Sequence, residues 1–179
     1  MMSPVKSLRL LGSCMLLAGT AAIAESRLVS PPLEGFFVAY EASDATQSIR
    51  EEIPVGETLD GWTQMVTTQR FSGNPGSALQ LAEAVRDGVR ASCPKVAMSD
   101  PGEIAHQGFP TASFSATCYR ETKDGGTETL FMMVVRAPDA LLVKQVAFKG
   151  DVTRESMTRA VGLLKNAVVC ADTCEVPAR

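Results

Sequence analysis

The segment Thr127–Arg136 limits the possible folds of this chain most strongly. Its residues from Leu130 to Val135 are all apolar, and a strand of this composition needs a covering layer on each face. Periodicity alone does not separate such a strand from a buried helix. On one side, residues 112–121 alternate between two faces, and Lys123–Gly126 has hairpin chemistry. On the other side, a short turn leads into a further strand, 140–149. We therefore predict a three-stranded antiparallel meander.

Three more strands are expected before the meander. They are Phe36–Ala42, Gln47–Ile53 and Thr63–Phe71, each ended by turn residues. A short extra strand is also possible at Glu103–Gln107.

Two amphipathic helices are predicted from apolar spacing and capping residues. Before the first helix, either Asn74 and Pro75 are the cap and the first helical residue, or Ser77 and Gln80 form a capping box. The apolar face of this helix contains Leu81, Val85 and Val89, and the helix ends at Cys93-Pro94. Thr153 caps the second helix, whose apolar stripe is Met157, Val161, Leu164 and Val168. The order of elements predicts an α+β fold with an antiparallel sheet of about six strands and two helices.

Residues 1–24 have the features of a secretory signal peptide. Lys6 and Arg9 precede the apolar run Leu10–Ile23, and Ala22-Ile23-Ala24 forms a small-residue cleavage site. The run is too short and too interrupted for a membrane span. Leu11-Gly12-Ser13-Cys14 resembles a lipoprotein cleavage box, so anchoring through Cys14 is the alternative. We expect a leader segment at 25–35, one α+β domain at 36–172 and a C-terminal tail at 173–179.

Composition and charge exclude several classes of protein. With 45% hydrophobic and 21% charged residues, the chain is typical of globular proteins. Its formal charge is -3, whereas nucleic-acid-binding domains carry an excess of positive charge. Loss of Lys6 and Arg9 with the signal leaves 15 basic residues against 20 acidic ones, a net charge of -5. We therefore expect no nucleic acid partner and no docking on anionic lipid.

The mature chain would keep four cysteines: Cys93, Cys118, Cys170 and Cys174. An even number in an exported protein is typical of disulfides. Three pairings are possible, and the sequence alone does not choose between them. We favour Cys93 with Cys118, and Cys170 with Cys174. The alternative is a metal site with His106, but the spacing matches no familiar zinc pattern, so we expect neither metal nor cofactor.

The chain offers few candidates for catalysis or binding. Cys93 and His106 could form a thiol and base, but no motif supplies the other groups that nucleophilic catalysis needs. We therefore predict no catalytic residue. Trp62 is the only tryptophan, and such a residue is more often a packing anchor than a ligand platform. Trp62 and His106 remain the possible binding residues.

Several short motifs are shared with a known family. They are Pro54–Thr67, Gly108-Phe109-Pro110, Cys118-Tyr119, Val143–Phe148 and Val169–Asp172. Together they resemble a family of uncharacterised exported proteobacterial proteins. The resemblance spans most of residues 47–172 and implies no activity, cofactor or catalytic residue. The chain departs from the family in having Tyr119, where a proline commonly follows the cysteine, and in the added Cys174, which leaves the disulfide pairing open. The order of elements also resembles the α-β-α sandwich of the PsbP and Mog1 type, a likeness of topology only.

Together these features predict a soluble periplasmic protein, a non-catalytic binding or accessory module of the cell envelope. Its site would be the groove beside Trp62 or an exposed face of the sheet, and its partner an envelope protein or a small ligand. We expect no stable membrane span after signal cleavage. The alternative function is a hydrolase or thiol enzyme that uses His106 and a cysteine.

Overall fold

The computed structural model describes residues 25–73, 76–119, 126–171 and 174. The predicted signal peptide and Cys14 lie outside the described residues, as do the predicted hairpin residues Lys123–Gly125 and most of the C-terminal tail.

Ten strands and two helices make up the described part of the chain. In chain order they are β1 Arg27–Val29, β2 Phe36–Ser43, β3 Gln47–Pro54, β4 Gln64–Ser72, α1 Ala78–Ser92, β5 Val96–Met98, β6 Gly102–His106, β7 Phe109–Tyr119, β8 Thr127–Arg136, β9 Ala140–Lys149, α2 Arg154–Lys165 and β10 Val168–Cys170. The α+β class, the two helices and the meander β7-β8-β9 are confirmed.

The main sheet is antiparallel and larger than predicted. Its order is β2-β3-β4-β9-β8-β7-β5, and β6 also pairs with β7, which gives eight strands where about six were expected. The extra strand considered at Glu103–Gln107 is β6, whereas β5 was not predicted because three residues are too few to show a period. The long strand β7 accommodates both, with Val96–Met98 opposite one end and Gly102–His106 opposite the other. The strands β1 and β10 form a separate two-stranded sheet.

The two helices cover opposite faces of the main sheet. Met132 and Val134 of β8 belong to the core cluster beneath α1, whereas Met133 and Val135 belong to the cluster that includes Ala160 of α2. These four side chains of β8 are all buried, as the continuous apolar run predicted. The arrangement has three layers, while the likeness to the PsbP and Mog1 type stays a prediction.

Both helices begin where their capping chemistry predicted. Ser77 with Gln80, and Thr153 with Ser156, form complete capping boxes. The buried face of α2 differs from the predicted stripe, because the helix contacts the sheet through Ala160, Leu163 and Leu164.

Of the predicted stripe of α2, only Leu164 is part of the buried face of the helix. Met157 is 46% exposed and Val161 37%, and Val168 belongs to β10 because the helix ends at Lys165. No helix among the described residues is long and apolar enough to cross a membrane.

Candidate functional site

The leader segment lies on the same face of the main sheet as α2. Strand β1 pairs with β10, with Leu28 opposite Val169, and Leu28 and Leu33 pack against the α2-side core cluster. No regular structure was expected in this segment. A three-residue strand has too few positions to show alternation, so its pairing was not visible in the sequence.

A polar clamp holds the start of the leader to the sheet. The guanidinium of Arg70 donates to Asp139 Oδ2 at 2.8 Å and to the carbonyl oxygen of Ser26 at 2.9 Å. The backbone N–H of Ser26 donates to the same carboxylate at 3.1 Å. Burial alone would raise the pKa of Asp139, but the hydrogen bonds from Ser26 and Arg70 outweigh it and lower the pKa below its usual range.

A cavity of about 440 Å³ lies between the leader and the outer strands of the sheet. We call it the leader cavity. It is lined by Leu28, Val29, Ser30, Pro31, Pro32 and Leu33 of the leader, Phe36, Phe37 and Val38 of β2, Arg50 and Glu52 of β3, Thr68 of β4 and Lys144 of β9. Its volume is in the range of small-molecule sites, which combine apolar walls with a few polar groups.

The unusual group in the leader cavity is Lys144. The residue is only 3% exposed, and its Nζ donates to Thr68 Oγ1 at 3.3 Å. Among the described residues no carboxylate oxygen lies within 4 Å of that nitrogen. An ammonium has three donors, and burial without a close counter-charge disfavours the charged form. Burial therefore lowers the pKa of Lys144 below its ordinary value of 10.5, with Glu52 opposing the shift and Arg50 adding to it.

Two charged side chains of β3 accompany Lys144 on the same face of the sheet. In the strand register, Arg50 lies opposite Thr68, which lies opposite Lys144. Arg50 donates to Glu52 at 3.2 Å, and the side chains are 46% and 17% exposed, respectively. Because Arg50 and Glu52 neutralise each other, the cavity lining has one positive charge in excess when Lys144 is protonated.

A second unused polar group belongs to the cavity wall. Ser30 Oγ is buried and has no hydrogen-bond partner among the described residues. Such a group is destabilising unless water or a ligand satisfies it. The cavity therefore combines a buried amine, an unused hydroxyl and the apolar side chains of the leader and β2.

Trp62 lies elsewhere, at the end of the sheet. It is 9% exposed, and the Nζ of Lys149 lies 4.2 Å from the centre of its ring, within the range of a cation–π contact. The preceding loop is closed by Glu57, whose carboxylate accepts from the N–H of Thr63 at 2.7 Å. Trp62 does not line the leader cavity.

His106 lies at the end of β6, where it contacts the α2–β10 connection. Its Nε2 donates to the carbonyl oxygen of Ala167 at 2.7 Å, because a carbonyl can only accept. The side chain of Gln107 donates to the same oxygen at 3.1 Å and accepts from the N–H of Val169 at 3.0 Å. These bonds hold Gln107 at a φ of 54° before Gly108 at 83°, as in a two-residue hairpin turn.

The cysteines form the two favoured pairs. Cys93 is joined to Cys118, with Cα atoms 5.8 Å apart, and Cys170 to Cys174, with Cα atoms 5.7 Å apart. No thiolate is left at these positions for the alternative thiol enzyme. The first disulfide ties the end of α1 to β7, and the second follows the strand that pairs with the leader.

An exposed face of the sheet is also present, as expected. Between α2 and the β5–β7 edge lies a groove of about 640 Å³ that includes Ser115, Thr117, Thr129, Phe131 and Met157. We call it the hydroxyl groove. Several of its hydroxyls already have partners: those of Thr117 and Thr129 are 3.1 Å apart, and that of Ser99 accepts from the N–H of Ser115.

Lys144 was not among the site residues predicted from the sequence. The available signal was a lysine in a largely apolar strand, where Lys144 and Gln145 lie between Val143 and Val146. The alternation of β9 assigns Lys144 to the same face as Leu142 and Val146, both of which are fully buried. A charged residue at such a position is rare unless it is paired or functional.

Comparisons with known proteins give no family. No family model matches the chain, so the family resemblance stays a prediction, and no curated protein matches it. Among solved structures, the chain is similar to LpqN, involved in cell envelope biogenesis of Mycobacterium tuberculosis, with 12% identity, a TM-score of 0.46, and coverage of 84% of this chain and 87% of that chain. It is also similar to PA94, a protein of unknown function from Pseudomonas aeruginosa, with 10% identity, a TM-score of 0.42, and coverage of 78% and 92%. Both likenesses are too distant to transfer a function.

Proposed function

We propose that this chain is an exported, non-catalytic binding protein of the cell envelope that holds a small ligand in the leader cavity. The observation that carries the proposal is Lys144, which is buried in the wall of a 440 Å³ cavity without a carboxylate within 4 Å among the described residues. A buried unpaired charge is costly to the fold, and perturbed groups of this kind cluster at functional sites. A role in ligand binding explains why the fold contains this destabilising charge.

Export is supported by two independent features. The sequence of residues 1–24 predicts a signal peptide, and the two disulfides are consistent with an extracytoplasmic protein. In this proposal the mature protein is soluble in the periplasm and begins at Glu25. Mass spectrometry of the protein from the native envelope should give that terminus, whereas a lipidated Cys14 would contradict it.

The leader cavity is a better candidate than the two sites expected from the sequence. Trp62 is covered by Lys149. In the hydroxyl groove, the hydroxyls of Thr117 and Thr129 bond to each other, and that of Ser99 accepts from a backbone N–H. The leader cavity instead contains donors of Lys144 and a Ser30 hydroxyl that have no partner within the described part of the chain. Unused polar groups beside apolar walls are what a ligand needs for orientation and affinity.

The location of binding can be tested with two short probes, hexanoate and hexanamide. Amide NMR of the mature protein should show that at least one probe shifts the signals of Leu28, Val38 and Thr68. Ser30→Phe places a phenyl ring at the cavity wall and should abolish these shifts. Ser43→Phe, at the exposed end of β2, is the matched control and should preserve them. Shifts confined to the hydroxyl groove, or no shifts with either probe, would contradict the proposal.

A further inference from the structure

We infer that the ligand of the leader cavity is a small organic monoanion with an apolar body, whose carboxylate pairs with Lys144. This inference rests on the proposed function and specifies its ligand class.

The charge of the cavity selects a single negative charge. Lys144 and Arg50 are cationic and Glu52 is anionic, and Arg50 is already bound to Glu52 at 3.2 Å. One carboxylate on Lys144 therefore brings the three side chains and the ligand to neutrality. A doubly charged phosphate would leave an excess negative charge beside Glu52, whose side chain is only 17% exposed.

The surroundings of Lys144 favour an anion over a neutral acceptor. Folding has already removed the amine from water, since the residue is 3% exposed. An arriving carboxylate therefore meets a cation whose desolvation has been completed, which strengthens the gain from the charge-assisted hydrogen bond. Thr68 Oγ1, at 3.3 Å from Nζ, fixes the position of the amine and leaves its other donors for the ligand.

The walls of the cavity favour an organic ligand over an inorganic ion. Leu28, Leu33, Phe36 and Val38 all line it, and all of them except Val38 also pack on the core cluster. These side chains provide apolar surface that an inorganic ion would not use. Val38 is 37% exposed, which leaves apolar surface at the rim for the ligand's body.

Affinities of the two probes test the inference in the unmodified protein. Titration calorimetry should show hexanoate binding roughly tenfold or more tightly than hexanamide, and hexyl phosphate more weakly than hexanoate. If hexanoate and hexanamide bind in the leader cavity with equal affinity, the inference that the ligand is a monoanion is wrong, while the proposed function still holds. If neither probe binds in the cavity, both the proposed function and the inference about its ligand are wrong.

The role of Lys144 is tested by substitution. Lys144→Met should remove the preference for the anion, so that hexanoate and hexanamide bind with equal affinity. Lys165→Met, which removes an exposed lysine at the end of α2, should leave both affinities unchanged. If Lys144→Met does not fold, Thr68→Val provides the second variant, and it should weaken hexanoate more than hexanamide. A preference for hexanoate that survives both substitutions would contradict the inference.

Discussion

Replacement of Lys144 by methionine should stabilise the empty protein. Methionine has a similar length and needs no hydration, so the change removes the cost of a buried ammonium with little effect on packing. The loss is one hydrogen bond to Thr68, 3.3 Å long, which is worth about 1 kcal/mol. Replacing a buried ion pair by apolar groups is neutral or gains about 1 to 4 kcal/mol, and a buried ammonium without a close counter-charge is costlier than a pair. We therefore expect the free energy of unfolding to rise by about 2 kcal/mol at neutral pH.

The pH dependence of this gain provides a second check. Burial lowers the pKa of Lys144 in the folded protein below its ordinary value of 10.5, so between the two pKa values the unfolded chain binds more protons than the folded one. Wild-type stability therefore increases with pH in this window, relative to the methionine variant. The destabilisation by the buried ammonium is fully present below the pKa that Lys144 has in the folded protein. It disappears as the pH approaches 10.5.

Urea unfolding of both proteins, followed by circular dichroism from neutral pH to about pH 10, measures the two effects. The stability difference should be largest at neutral pH and decrease as the pH rises. A methionine variant that is less stable than the wild type at neutral pH, or a difference that does not change with pH, would show that the buried ammonium of Lys144 is not destabilising.

Three further predictions concern the disulfides, a turn and the tryptophan. Cys118→Ser should lower the free energy of unfolding by about 3.5 kcal/mol in chemical denaturation, because the bridge closes a loop of 25 residues. Cys174→Ser should lower it much less. Peptide mapping that links Cys93 to Cys174 would contradict the pairing. Hydrogen bonds from Thr46 and Gln47 lower the pKa of Asp44 to about 2, so its stabilising effect is present above its ordinary pKa of 3.8 and is lost as the pH falls towards 2. The Asp44→Asn variant should not show this loss of stability in an acid titration. An acid unfolding transition identical to that of the wild type would contradict the prediction. Trp62→Ala should cost about 3 kcal/mol, since the residue is 9% exposed; unchanged stability with lost capture of an envelope partner would instead make Trp62 a binding anchor.

Long, regular elements were predictable from the sequence because local chemistry determines them. Strands β8 and β9 have the predicted limits, and the caps at Ser77 and Thr153 are in place. The burial of α2 was less predictable. The spacing of apolar residues indicates a helix, but which face of the helix is buried depends on the elements it packs against. Ala160 allows closer contact with the sheet than Met157 would.

The leader cavity could not be predicted because distant parts of the chain form it. Its lining comes from residues 28–33 and 36–38 and from Arg50, Glu52, Thr68 and Lys144, and none of these parts of the chain contains a motif for ligand binding. The leader reaches this position through the three-residue pairing of β1 with β10 and the clamp of Arg70 and Asp139. Only tertiary structure brings the leader over Lys144 and makes its charge unusual.

The most direct measurement is the titration of Lys144 by NMR of the lysine side-chain Cε, with and without hexanoate. In the free protein, the pKa of Lys144 should lie below those of the exposed lysines, because burial disfavours its ammonium. Saturation with hexanoate should raise this pKa, because a carboxylate favours the charged form. Titration of Lys144 together with the exposed lysines, without response to hexanoate, would contradict the account.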